Sequence, residues 1–225
     1  MKFVRTLLVL SLTLTGGFVL PGQDKDQPKE FTNRLYPIAT GFRWHYRVTD
    51  MKAPKTTETE AKQHVTVTAG AKQVFTLKKK YKDGKEGDEQ VYGYELQVHG
   101  SGKPLLEQVL VSDDGVYRIS GAGKPISPPL CILKANAVKG AAWKCDSQSE
   151  NATIKGEFIV DQQDVELPVG TLTAAIVVQS RDYYIGTQKM QVTTWYKENL
   201  GMVKQHVQVG NHDVILELEK FEQPK

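Results

Sequence analysis

The chain has 225 residues, 40% of them hydrophobic and 24% charged, with a formal net charge of +3. That length and apolar share suit one domain with a sizeable core, and they exclude a disordered or fibrous chain. Lys2 and Arg5 supply part of the charge. Without those two the balance is 27 basic against 26 acidic residues, which gives no support for nucleic-acid binding.

At the N-terminus Lys2 and Arg5 form a short basic head, and residues 6–20 carry no charged side chain. As a helix this stretch spans about 22 Å, short of the roughly 30 Å hydrocarbon core of a bilayer. The pattern predicts a secretory signal peptide over residues 1–22, with a cut after Gly22 or after Gly17; a retained anchor is the alternative. No cysteine lies near this end to accept a lipid. A periplasmic or secreted protein is expected, with no transmembrane segment once the signal is removed. The polar run QDKDQPKE begins a flexible tether over residues 23–35, and a β domain over 36–222 follows.

From Gly41 onward, segments of alternating apolar and polar residues are separated by Gly, Asp, Asn and Pro. Trp44 and Tyr46 share one face of the first segment. Val65 and Val67 alternate with threonines in the next. Tyr92, Tyr94, Leu96 and Val98 form one face after that; Ile154, Phe158 and Val160 align later, as do Leu172, Ala174, Ile176 and Val178. Val203, Val207 and Val209 oppose Lys204, His206 and Gln208, and Val214, Leu216 and Leu218 oppose Glu217 and Glu219. One-sided strands of this kind predict antiparallel sheet, because parallel strands read as continuous apolar runs. Asp83-Gly84, Asp114-Gly115 and Gly210-Asn211 fall where hairpins turn. The prediction is an all-β fold: a single curved antiparallel sheet, half-barrel or open barrel, of about ten to twelve strands.

Cys131 and Cys145 are the two cysteines of the chain. In an oxidising compartment they are expected to pair, closing a short loop worth about 3 kcal/mol in the unfolded chain. Two separate small buried hydrophobes are the alternative.

The candidates for chemistry are sparse. The five histidines, His45, His64, His99, His206 and His212, lack metal-ligand spacing, and two thiols with no nearby histidine make half a zinc set. No G-x-S-x-G is present, and Gly121-Ala-Gly-Lys124 runs into Pro125 where a phosphate loop needs a helix. Asp113, Asp114, Asp161 and Asp164 sit at turns, where aspartate bonds the local backbone. No catalytic residue, metal site or cofactor is predicted. The basic run Lys78–Lys82 reads as a solvated hairpin tip, or else as a polyanion contact; Asn151-Ala-Thr153 fits a glycosylation acceptor. Aromatic neighbours in a strand place one ring on each face, so some rings are candidates to line an apolar cleft. Trp44, Tyr46, Tyr184 and Trp195 are taken as the candidate ligand-binding residues, with core packing as the alternative.

Several phrases in order carry a resemblance: Gly41-Phe-Arg-Trp-His-Tyr46, Asp113-Asp-Gly-Val-Tyr117, Leu167-Pro-Val-Gly-Thr171, Trp195-Tyr196 and Gly201-Met-Val-Lys204. Together, over roughly Tyr36 to Glu222, they resemble an exported bacterial family of unknown function. The resemblance implies a curved antiparallel sheet similar to the half-barrels of periplasmic lipoprotein carriers and receptors. It carries no catalytic residues. The chain departs from the family in its cysteine pair and in Lys197-Glu-Asn-Leu200, where the family favours Pro and Gly. The expected function is binding of a lipid or other apolar ligand, or of a hydrophobic segment of an envelope protein. An envelope interaction domain with a filled core, and a hydrolase built on surface loops, are the alternatives.

Overall fold

β-Branched and aromatic residues in alternation favour extended backbone, since their stiff side chains pack well on a pleated surface. From Arg43 onward the described residues follow that preference. The computed structural model describes residues 28, 30–52, 63–80, 84–100, 102–150 and 152–224. The expected signal peptide, residues 23–27 and 29 of the expected tether, the tip of the basic run and Asn151 lie outside them.

The strands are β1 (Arg43–Asp50), β2 (Gln63–Lys80), β3 (Glu86–His99), β4 (Leu105–Val111), β5 (Gly115–Gly121) and β6 (Lys124–Lys134). They continue with β7 (Ala142–Ser149), β8 (Ala152–Leu167), β9 (Gly170–Ile185), β10 (Gln188–Lys197), β11 (Gly201–Val209) and β12 (His212–Glu222). All neighbours are antiparallel and follow chain order. β1 pairs with both β2 and β12, so the twelve strands close into a barrel. The sheet is thus all-β as expected and curls to full closure, which removes the unpaired edges of an open half-barrel.

Closure is fixed on both faces of the β1–β12 pair. Inside, Trp44 stacks on Phe221 with ring centroids 5.4 Å apart, and Phe42 meets Phe221 edge-on at 5.4 Å. Outside, Arg47 Nη2 and Lys204 Nζ converge on Glu217 at 2.7 and 2.8 Å, tying β1, β12 and β11 together.

One join is thin. Between β6 and β7 the register pairs are Ile126 with Ser149 and Ser127 with Gln148. Pro128 and Pro129 then interrupt β6; neither has an N–H to donate, so the ladder cannot continue through them. The strands part beyond this point, and Trp143 fills the gap against Phe158, with ring centroids 5.5 Å apart. This separation bears on the cysteines. Cys131 and Cys145 stand on the two parted strands as free thiols, which corrects the expected disulfide.

One end of the barrel is covered by residues 30–42. Glu30 pairs with Lys72 at 2.7 Å, the amide of Asn199 donates to the carbonyl of Arg34, and that of Gly41 donates to Ala69. Phe31, Leu35, Tyr36 and Ile38 pack against the core. The C-terminal part of the expected tether is therefore packed structure, because its apolar residues outweigh the polarity of the run before them.

Besides a small buried cluster of Leu77, Val91 and Leu110, two large clusters make the core. One centres on Trp143, Phe158 and Leu133, the other on Trp44, Tyr94 and Val203. Tyr36 and Ile38 touch both.

Strict alternation fails at bulges. Ala174, expected inward with Leu172 and Ile176, is exposed at φ 53°, and its amide donates to Asp164 Oδ1 at 2.8 Å. Ala175 takes the buried position instead, fully enclosed at 0% exposure.

Candidate ligand-binding cavity

Between the two clusters the barrel holds a cavity of about 280 Å³. Its covered end is formed by Tyr36 and Pro37, and its walls are mainly aliphatic, including Val65, Leu96, Ile132, Val192 and Leu216. It reaches toward the opposite rim, where Ile185 and Met190 flank the β9–β10 turn.

Four tyrosines contribute to the wall: Tyr36, Tyr46, Tyr183 and Tyr196. Burial raises the pKa of each; it pushes Tyr183 and Tyr196 up to about 12, so the phenols stay protonated. Two hydroxyls are committed within the protein. Tyr46 Oη donates to the carbonyl of Met202 at 2.9 Å, and Tyr196 bonds the side chain of Thr194. Trp44 is similarly tied, its Nε1 donating to the carbonyl of Leu200 at 2.7 Å.

The charged side chains of the wall are Glu107 on β4 and Arg118 on β5. Arg118 Nη2 lies 3.2 Å from Glu107 Oε2. Glu107 points inward with Val109, and Arg118 with Val116, so both project from faces that otherwise bury valine. Arg118 lies deep in the barrel yet keeps 34% of its side-chain surface accessible; that surface borders the cavity. The Glu107 carboxylate is the main cause holding its pKa above the ordinary value, ahead of the opposing effect of burial. The Arg118 charge in turn reaches Tyr36, Tyr183 and Tyr196, where it works against the rise that burial imposes.

The four residues singled out in the sequence divide evenly. Trp44 and Tyr46 line the cavity, while Tyr184 and Trp195 lie on the outer face under Lys189 and Lys204, whose Nζ atoms stand 5.7 and 5.8 Å from the ring centroids. Their chain neighbours, Tyr183 and Tyr196, are the rings that turn inward. For Tyr184 the cause is a second bulge. Asp182, at φ 46°, lets β9 carry one extra residue opposite Gly156, and this reverses the parity set by Ile176 and Val178.

Glu107 and Arg118 were not anticipated. The available signal is a single charge in phase with buried valines on each of two consecutive strands, of opposite sign. The histidines lie elsewhere: His45, His64 and His206 contact Glu222, Glu219 and Asp213 on the outer face. Among the described residues, no group of three or more His, Cys, Asp or Glu side chains is placed to hold a metal ion. No described helix is long and apolar enough to cross a membrane.

No family model matches the sequence, and no curated protein matches it. Among solved structures, the chain is similar to a lipoprotein candidate of Parabacteroides distasonis. The two are 11% identical over 84% of this chain and 99% of that one, with a TM-score of 0.45. It is also similar to an exported-protein candidate with a YmcC-like fold from Bacteroides fragilis, 14% identical over 85% of this chain and 100% of that one, with a TM-score of 0.46.

Proposed function

We propose that this chain is an exported, non-catalytic barrel protein that takes up a small apolar ligand in its lumen. The observation that carries the reading is the cavity of about 280 Å³ with its mainly aliphatic wall. Well-packed interiors keep few voids larger than a water molecule. A retained volume of this size therefore counts against a filled-core structural domain. Ligand cavities run from about 300 to 1,000 Å³, so this one suits a single short acyl chain or a fused-ring molecule. A lipid with several long chains does not fit. The wall contains no serine, cysteine or histidine, which supports binding over hydrolysis. Export rests on the basic head and short apolar stretch at the N-terminus.

Titration with 1-aminoanthracene, a small neutral fluorophore that brightens in apolar surroundings, tests the reading. The expected result is saturable uptake of one equivalent, abolished by Val207→Phe, which fills the wall from β11. Absence of uptake by the unaltered protein would overturn it.

A further inference from the structure

The Glu107–Arg118 pair is expensive to keep in a lumen. Removing two charges from water costs several kcal/mol per ion, and their attraction recovers this fully only with good geometry and satisfied hydrogen bonds. Here the geometry is a single contact at 3.2 Å, and Arg118 Nε is buried with no hydrogen-bond partner among the described residues. Replacing such a pair by aliphatic residues is often neutral or stabilising. The pair thus has no evident structural role that valine would not fill.

Its surroundings have more donors than acceptors. A guanidinium carries five N–H donors and no acceptor. Tyr36 and Tyr183 line the same cavity, and their phenols stay protonated. Against these stand the Glu107 carboxylate and the amide oxygen of Gln205, while Thr194 Oγ1 already accepts from Gln205 Nε2. A ligand that completes the set must bring an acceptor oxygen. Its charge is constrained as well. Glu107 already neutralises Arg118, so a second carboxylate would carry an uncompensated negative charge into an apolar lumen, which is heavily penalised.

Resting on the reading of the cavity as a ligand site, the geometry points to a neutral ligand: a short apolar body ending in a carbonyl oxygen, as in an ester, amide or ketone. Arg118, with Tyr36 and Tyr183, receives the oxygen, and Glu107 excludes anions. The aliphatic wall takes the body.

Displacement of 1-aminoanthracene by methyl octanoate, octanoate and nonane at neutral pH tests this. The ester is expected to displace the probe at about tenfold lower concentration than either competitor, the worth of a hydrogen bond to a charged group. Glu107→Gln, which leaves Arg118 unneutralised, is expected to move the preference to octanoate. The double variant Arg118→Met/Glu107→Met keeps the lumen neutral; it should bind nonane and lose the ester's advantage. Tyr183→Phe retains the ring and is the milder variant: it should weaken the ester several-fold and leave nonane unchanged. Tighter binding of octanoate than of ester by the unaltered protein overturns the proposal, as does an ester advantage that survives in both the double variant and Tyr183→Phe. If the fluorophore and nonane bind but all three competitors rank equally, this inference fails while the cavity reading stands. If the fluorophore never binds, both fail.

Discussion

The indole Nε1 of Trp143 donates to the carbonyl oxygen of Cys131 at 3.0 Å, across the gap where β6 and β7 have parted. The contact replaces a ladder that Pro128 and Pro129 have ended, and the ring behind it packs on Phe158. Trp143 is 9% exposed, so the ring is largely enclosed where the ladder has ended. Trp143→Ala is expected to destabilise the fold by about 3–5 kcal/mol, the cost of deleting a buried aromatic. Trp143→Phe keeps most of the packing and loses the hydrogen bond, for about 1–2 kcal/mol. Urea unfolding followed by circular dichroism measures both; equal losses for the two variants would show that the ring's packing contributes little.

The thiols on either side of that gap should be inert. Burial is the leading cause that pushes Cys131 and Cys145 up to about 11, far above the pH at which alkylation is normally run. The thiolate is the nucleophile, so its scarcity slows the reaction. Iodoacetamide is expected to leave the folded protein nearly unmodified and to add two groups after unfolding without reductant, read by intact mass. A product two hydrogens lighter that still resists alkylation when unfolded would mean a disulfide.

The ionic seam at the barrel's closure makes stability depend on acid. Burial tends to raise the Glu217 pKa, but hydrogen bonds from Lys204 and Arg47 outweigh it and hold the carboxyl below its ordinary 4.5. Asp213, bonded by His206 and Gln208, is likewise held below its ordinary 3.8. A carboxyl with a lowered folded-state pKa binds its proton more readily in the unfolded chain. Its stabilisation is therefore full above the unfolded value and drains as pH falls through the lower, folded one. Unfolding free energy should be level near neutral pH and decline below about 4.5. Glu217→Gln should lower the neutral plateau and flatten the decline; a decline of unchanged steepness would place the acid sensitivity elsewhere.

How much of this was legible in the sequence depends on range. Val203 and Val207 against Lys204 and His206, or Leu216 and Leu218 against Glu217, reveal their strands by period alone, because each side chain's face is set by its immediate neighbours. Closure is not local. It depends on Arg47 meeting Glu217, 170 residues apart in the chain. Bulges are hidden as well. Ala174 and Asp182 adopt positive φ without glycine, and the bulge at Asp182 reverses the parity set by Ile176 and Val178, which is why Tyr183 enters the lumen and Tyr184 does not. The pair of lumen charges was readable in principle, since Glu107 and Arg118 each break a face that valines define. The cysteines misled because two prolines part the strands that would have brought them together.

The inward turn of Tyr183 has a specific support that can be removed. Gly156 on β8 lies opposite the bulge, and a Cβ built there would stand 2.7 Å from Tyr183 Cα and 3.0 Å from its Cβ and Cδ2. Backbone cannot yield to so close an atom without shifting the strand. Gly156→Ala is expected to cost about 1–3 kcal/mol through overpacking and to push the Tyr183 ring away from the cavity. Gly102→Ala is the control: a Cβ there meets nothing within 4 Å, so stability should change by less than about 0.5 kcal/mol. Urea midpoints rank the two, and near-ultraviolet dichroism reports the tyrosine environment. If Gly156→Ala matches Gly102→Ala in both readouts, the bulge has slack to spare, and Tyr183 is held inward by its packing on Phe158, with ring centroids 5.5 Å apart, rather than by the missing side chain at position 156.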